Sequence, residues 1–235
     1  THILADSQAT KDDLTELYHA PPEKITVLYA GVDQSFQPVS DPRQLAEVRD
    51  RYGIGEAPFV LSVSTLQPRK NYRRLIEAFE IALGHTQFVL VLAGGKGWLH
   101  DEILYEVRRR NLEAKVLFPG FVPETDLKAL YSAAEVMAYP SLYEGFGLPV
   151  VESMACGTPV LTSTAPCLPE IAGQAAIFAD PYDVQAIADG LTQLTTDPEL
   201  CADLVQKGLT RARMFNWDDS ARKLLGLYRE LAQQG

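Results

Sequence analysis

PSLYEGFGLPVVESMACGTPVLTS, residues Pro140 to Ser163, packs a loop, a helix and a strand into one short unit. Two carboxylates sit in it: Glu144 in the glycine-rich loop and Glu152 just inside the predicted helix, eight positions on. Pro149 suits the first helical position, where its missing N–H costs nothing. Leu148 before it offers no oxygen to the free N–H groups of that turn, whereas Ser, Thr, Asp or Asn would. A helix start without a side-chain cap, entered through glycines, leaves donors for an outside anion. The stretch therefore predicts a docking place for something phosphorylated.

Working outward, strands alternate with helices. Upstream, Phe59 to Val63 reads as a strand buried on both faces, Asn71 to Leu83 as an amphipathic helix, and Phe88 to Ala93 as the next strand. Leu99 to Arg110 and Glu124 to Ala133 read as helices, and Val116 to Phe118 and Val136 to Ala138 as strands. Downstream come a strand at Pro159 to Leu161, a short helix at Leu168 to Ala172, a strand at Ala176 to Phe178 and three closing helices. The pattern predicts an α/β fold with a parallel sheet. Ligands bind such sheets beyond the carboxyl ends of the strands. Thr65 to Lys70, Gly94 to Gly97, Gly120 to Val122, Ser141 to Leu148 and Ser163 all fall there.

Among the 235 residues the formal charge is −10, which argues against general nucleic-acid binding because phosphate neutralisation drives it. The longest apolar run, Phe88 to Gly95, is too short to span a bilayer. Three widely spaced cysteines, Cys156, Cys167 and Cys201, read as reduced thiols in a cytoplasmic setting, the first two as core filler. Arg69 and Lys70 follow a strand at the same sheet edge as the opening stretch. Cations are unfavourable beside a helix start, so their placement points to a ligand such as a diphosphate. Arg73, Arg74 and Arg108 to Arg110 read as solvated faces, and Trp98 and Trp217 as packing residues. Gly94-Gly95-Lys96-Gly97 matches neither the dinucleotide nor the P-loop pattern. No D-x-D or H-E-x-x-H occurs and the histidines lack ligand spacing, so no protein-bound metal or cofactor is expected. A glutamate pair at this spacing is by itself structural; the flanking glycines, which permit close backbone approach, make it a candidate for holding sugar hydroxyls.

Taken in order, Gly31-Val32-Asp33, Pro68-Arg69-Lys70-Asn71, Leu92-Ala93-Gly94-Gly95, Gly120-Phe121-Val122 and Glu144-Gly-Phe-Gly-Leu-Pro-Val-Val-Glu152 resemble the C-terminal half of a GT-B glycosyltransferase of family 4, the group 1 glycosyltransferases. The last is similar to the family's E-x7-E signature. The resemblance implies a Rossmann-like, doubly wound parallel sheet and retaining transfer of a hexose from a nucleotide-sugar to an acceptor hydroxyl. It implies that Glu152 holds the ribose, that Glu144 lies near the donor sugar, and that N–H groups of Phe146, Gly147 and Leu148 meet sugar and phosphate. Arg69 and Lys70 would clamp the diphosphate, with Val122 and Gly94 lining the donor site. Thr65 stands where many members carry an arginine, and Arg69 supplies that charge. The Pro-Arg-Lys-Asn form leans toward GDP-mannose.

The same resemblance divides the chain into residues 1–22, the end of an N-terminal domain, residues 23–215, the nucleotide-sugar-binding domain, and a closing helix at 216–235. The resemblance implies that these residues hold little of the N-terminal half, which in the family carries the acceptor pocket and a histidine near the reacting sugar. The expectation is a donor-binding half that transfers little alone, its acceptor being a sugar or lipid-linked sugar and the full enzyme a peripheral membrane visitor. The alternative is a stand-alone nucleotide-sugar-binding module or a subunit of a split enzyme.

Overall fold

The computed structural model describes residues 2–233. Its centre is a six-stranded sheet in the order β5-β4-β3-β6-β7-β8, with every neighbouring pair parallel. The strands are β3 (Phe59–Val63), β4 (Val89–Ala93), β5 (Val116–Gly120), β6 (Val136–Tyr139), β7 (Val160–Ser163) and β8 (Ile177–Ala179). The chain runs outward from β3 through β4 to β5, then returns to β6 on the other side of β3. That reversal opens a crevice between the loops after β3 and β6, where open α/β sheets bind ligands. The doubly wound α/β sheet expected from the sequence is present.

Strand side chains alternate between two cores. Phe59, Leu61, Val91, Met137 and Tyr139 point into one, and Val60, Leu90, Leu92, Val136 and Ala138 into the other. This is the period of two that a strand imposes, and both faces are covered because both carry apolar residues. The helices α2 (Pro42–Arg51), α5 (Glu124–Ala133), α6 (Leu148–Ala155) and α7 (Leu168–Ala172) cover the first face. The second is covered by α3 (Tyr72–Leu83), α4 (His100–Arg109) and α8 (Val184–Thr196). Leu204 and Ala212 of α9 (Pro198–Ala212) reach one core each.

Two short strands, β1 (Ile3–Ala5) and β2 (Ile25–Val27), pair parallel with each other outside the main sheet, joined by α1 (Gln8–Tyr18). The start of α1 is tied to α7: the carboxylate of Glu170 accepts from the backbone N–H of Gln8 at 2.8 Å and of Ala9 at 3.3 Å. The last helix, α10 (Trp217–Gln233), has no buried residue and leaves Leu225, Tyr228 and Leu231 exposed. Among the described residues no helix is long and apolar enough to cross a membrane.

Three expectations are corrected. Trp98 and Trp217 are not packing residues, being 62% and 56% exposed; Trp98 rides an outward turn after β4, its indole N–H donating to Gln67 Oε1 at 3.1 Å. Arg110 is not on a solvated face, because Glu77 and Glu80 of α3 and Glu106 of α4 enclose its guanidinium. Helix α6 begins at Leu148 with Gly147 as its cap residue, so Pro149 takes its second position rather than its first and Glu152 lies in its second turn. The two cysteines read as core filler, Cys156 and Cys167, are buried free thiols.

Candidate functional site

The loop after β3 ends in a single 3-10 turn, Pro68–Lys70, and hands over to α3 through Asn71 in a left-handed conformation at φ 62°. Asn tolerates that region better than most residues. Its amide donates to the carbonyls of Pro140 at 3.0 Å and Pro181 at 2.7 Å, stitching the loops after β3, β6 and β8 together. The N–H of Leu142 donates to the Arg69 carbonyl at 2.9 Å, closing the two walls of the crevice on each other.

Within that frame Lys70 is buried, and its ammonium donates to Glu144 Oε1 at 2.6 Å and to the Tyr139 hydroxyl at 2.7 Å. It also lies 4.9 Å from the centroid of the Tyr139 ring. Arg69 donates to the other oxygen, Oε2, at 2.7 Å and to the Tyr143 carbonyl. Two cations at the foot of α3 are thus balanced by a carboxylate delivered from across the crevice. Burial pushes the Glu144 carboxyl upward, but Lys70 and Arg69 outweigh it and hold the group below the usual carboxylate range. Burial pulls the Lys70 ammonium down, with Glu144 opposing. The Ser141 hydroxyl in the same loop is fully buried and has no hydrogen-bond partner among the described residues.

Gly147 is required by its backbone, while a side chain at Gly145 would have to displace only the end of the exposed Asp6 side chain. A side chain at Gly145 would meet Asp6 Oδ2 at 2.5 Å, and one at Gly147 would meet Leu168 at 2.8 Å, on a backbone already at φ 96°. Gly147 sets the entry of α6, whose first turn receives no side-chain cap, as the sequence predicted. Phe146 between them is buried edge-on against Phe215, ring centroids 5.5 Å apart.

Seven of the ten predicted site residues line one cavity of about 340 Å³: Thr65, Arg69, Lys70, Glu144, Phe146, Gly147 and Leu148. Thr65 also borders an adjoining cavity of about 210 Å³ with Gly94, Val122 and the exposed ring of Phe121. Glu152 lines neither; it lies half-buried on α6 with its Oε2 accepting from the Tyr131 hydroxyl at 2.9 Å. A groove of about 390 Å³ between α3 and α4 contains none of the predicted residues, and its Arg109 and Glu106 pair with each other. No group of three or more metal-binding side chains assembles among the described residues. Sequence reasoning missed Tyr139, Tyr131 and the locking role of Asn71. Only Asn71 left a signal, by lying inside the Pro-Arg-Lys-Asn run.

A crevice at the sheet's reversal point, two cations at one wall and an uncapped helix start at the other suit a phosphorylated ligand. The sequence profile of "Glycosyl transferases group 1" matches residues 46–211. The chain belongs to the group 1 glycosyltransferases. It is 33% identical over 231 residues to the O-antigen chain mannosyltransferase B of Escherichia coli, covering 97% of this chain and 60% of that protein. The fold superposes on Anabaena Alr3699/HepE, solved in complex with UDP and glucose, with a TM-score of 0.89 at 24% identity, over 97% of this chain and 63% of that one. A C-terminal domain of a group 1 family glycosyltransferase (LpcC) from Francisella tularensis matches with a TM-score of 0.67 at 25% identity, over 78% of this chain and 97% of that one. The fold is thus that of GT-B C-terminal, Rossmann-like domains.

Proposed function

We propose that this chain is the donor-binding half of a retaining glycosyltransferase, holding a nucleoside-diphosphate sugar whose hexose passes to an acceptor hydroxyl. The observation that carries the reading is the buried Lys70–Glu144 pair, with Arg69 on the other carboxylate oxygen, facing the uncapped start of α6 across one crevice. On this reading the diphosphate lies between the cations and the N–H groups of Phe146, Gly147 and Leu148. Arg69 and Lys70 neutralise the charge that develops on the leaving diphosphate, an electrostatic contribution made without reorganisation because both side chains are already held. Glu144 sits at the sugar end and keeps the two cations in place. Glu152 accepts from the ribose hydroxyls, and the base enters the adjoining cavity beside Val122 and Gly94. No cofactor or metal takes part.

The likeness to a mannosyltransferase supports a mannosyl donor such as GDP-mannose. Residues 23–215 form the donor-binding unit, residues 1–22 are the end of an N-terminal domain, and that domain supplies the acceptor pocket for a sugar or lipid-linked sugar. The chain alone transfers little, and the complete enzyme works on the cytoplasmic side of a membrane.

Calorimetric titration of the folded protein with GDP, UDP and ADP tests this. One nucleotide should bind, and Lys70→Met should weaken it at least tenfold. Absence of binding by all three, or equal binding by the Lys70 variant, would refute the donor-site reading. Efficient sugar transfer by these 235 residues alone would refute the need for a further domain.

A further inference from the structure

Glu152 has a partner that the sequence does not disclose. Tyr131, on α5, is fully enclosed, and its phenol donates to Glu152 Oε2 at 2.9 Å. The tyrosine is itself fixed: its carbonyl accepts from Thr158 Oγ1 at 2.7 Å, and its ring tilts against Phe36 with centroids 6.3 Å apart. From Val150 to Met154, Glu152 is the single residue that is not buried. Its second oxygen, Oε1, has no hydrogen-bond partner among the described residues. A glutamate side chain has three rotatable bonds, and holding it in one rotamer costs entropy that a ligand would otherwise have to offset.

We propose that Tyr131 is a positioning residue for nucleotide recognition: it engages one oxygen of the Glu152 carboxylate and presents the other to a ribose hydroxyl. This rests on the reading that Glu152 binds the ribose. The groups facing Glu152 are Tyr131 and Glu124 from α5 and the buried Cys156 thiol on its own side. None is a cation. Burial pushes the Glu152 carboxyl above its usual range, the Tyr131 hydrogen bond opposes this, and Glu124 adds to it. The phenol therefore helps to keep the carboxylate ionised as well as still.

The test titrates the wild-type protein, Tyr131→Phe and Glu152→Gln with GDP, UDP and ADP and with their 2′,3′-dideoxy forms, at pH 6 and pH 8. Glu152→Gln should erase the preference for the ribonucleotide. Tyr131→Phe should weaken ribonucleotide binding about tenfold at pH 6 and less at pH 8, as expected for a lost hydrogen bond to a charged group, and leave dideoxynucleotide binding unchanged. Glu124→Gln, which removes the like charge and spares the hydrogen bond, should move the acid limb of binding to lower pH. A Tyr131→Phe protein indistinguishable from wild type, while Glu152→Gln loses its preference, overturns the inference and leaves the ribose reading standing. Equal losses by Tyr131→Phe for both nucleotide forms at both pH values mean general loosening and also overturn it. If Glu152→Gln keeps the preference, the ribose reading fails, and the inference with it.

Discussion

Replacing Glu144 by Gln removes the negative charge that Lys70 and Arg69 share and keeps the side chain's size. The side chains of Lys70 and Glu144 are 9% and 7% exposed, so water cannot take the carboxylate's place at Lys70. Arg69 is 38% exposed and contributes little, since solvent-exposed ion pairs are worth about 0–1 kcal/mol. Removing one partner of a fully buried pair costs about 3–5 kcal/mol. The Gln carbonyl and the Tyr139 hydroxyl can still accept from Lys70, which lowers the expected loss to about 2–3 kcal/mol. At about 2–4 °C per kcal/mol for a chain of this size, the melting midpoint should drop by roughly 4–12 °C. The pH dependence separates this cause from simple loosening. In the variant Lys70 is an unpaired buried cation, so its folded pKa drops further below its unfolded value. The native state then binds fewer protons than the unfolded state, and the variant recovers stability as pH rises toward the unfolded lysine pKa. On the acid side the Glu144 contribution belongs to a depressed carboxyl. It is complete above the unfolded carboxyl pKa and is lost as pH falls through the lower folded value, so wild type and variant converge there. Urea unfolding followed by linear extrapolation measures both trends. Equal unfolding free energies for the two proteins between pH 5 and 8 would refute the idea that this pair holds the crevice.

Asn71→Asp keeps the left-handed turn and the bond from Arg74 but sets a carboxylate against the carbonyls of Pro140 and Pro181; a loss of about 3 kcal/mol or more is expected in thermal unfolding, exceeding that of Asn71→Gly, which removes those two hydrogen bonds and the one Oδ1 accepts from Arg74 without adding a charge. Gly147→Ala must place a Cβ 2.8 Å from Leu168 on a backbone at φ 96°, so it should destabilise the protein by about 1–3 kcal/mol and weaken nucleotide binding in calorimetry. Glu170→Ala strips the Gln8 and Ala9 N–H groups of their acceptor while the Ser7 cap on Thr10 stays, and should speed amide exchange at Gln8 and Ala9 by about tenfold, leaving α5 and α6 unaffected.

The sheet was readable because every strand of it is apolar on both faces and every crossover is punctuated by glycine or proline. Phe59 to Val63 was placed to the residue. The residues of the candidate site were readable as positions along the chain, since Arg69, Lys70, Glu144 and Gly147, which line one cavity, announce themselves through glycines and charges at strand ends. What the sequence does not encode locally is who meets whom across the crevice. Lys70 and Glu144 are 74 positions apart, and nothing in either segment says that one neutralises the other. The tyrosines were silent for a related reason. Tyr131 and Tyr139 occupy ordinary apolar positions on a helix and a strand, and only the folded packing turns their hydroxyls toward Glu152 and Lys70. Trp98 and Arg110 went the other way. Residue type alone suggests a buried indole and a solvated guanidinium, and tertiary partners reversed both.

The crevice is cross-braced, and the bracing reaches the first helix. Asn71 binds the loops after β6 and β8, Leu142 binds Arg69, and Arg69 binds Tyr143. The Tyr143 hydroxyl then donates to Asp13 on α1 at 2.7 Å, and the Asp6 carboxylate lies against Gly145. Glu170, two residues beyond the Leu168 side chain that crowds Gly147, accepts from the start of α1. The loop that carries Glu144 is therefore held from both sides, by the cations in front and by α1 behind. A loop fixed in this way loses little further freedom when an anion enters, which lowers the entropic cost of binding. The same connections make α1 and the Glu144 loop one mechanical unit: a displacement of α1 must break the Tyr143–Asp13 and Glu170 contacts or carry the loop with it.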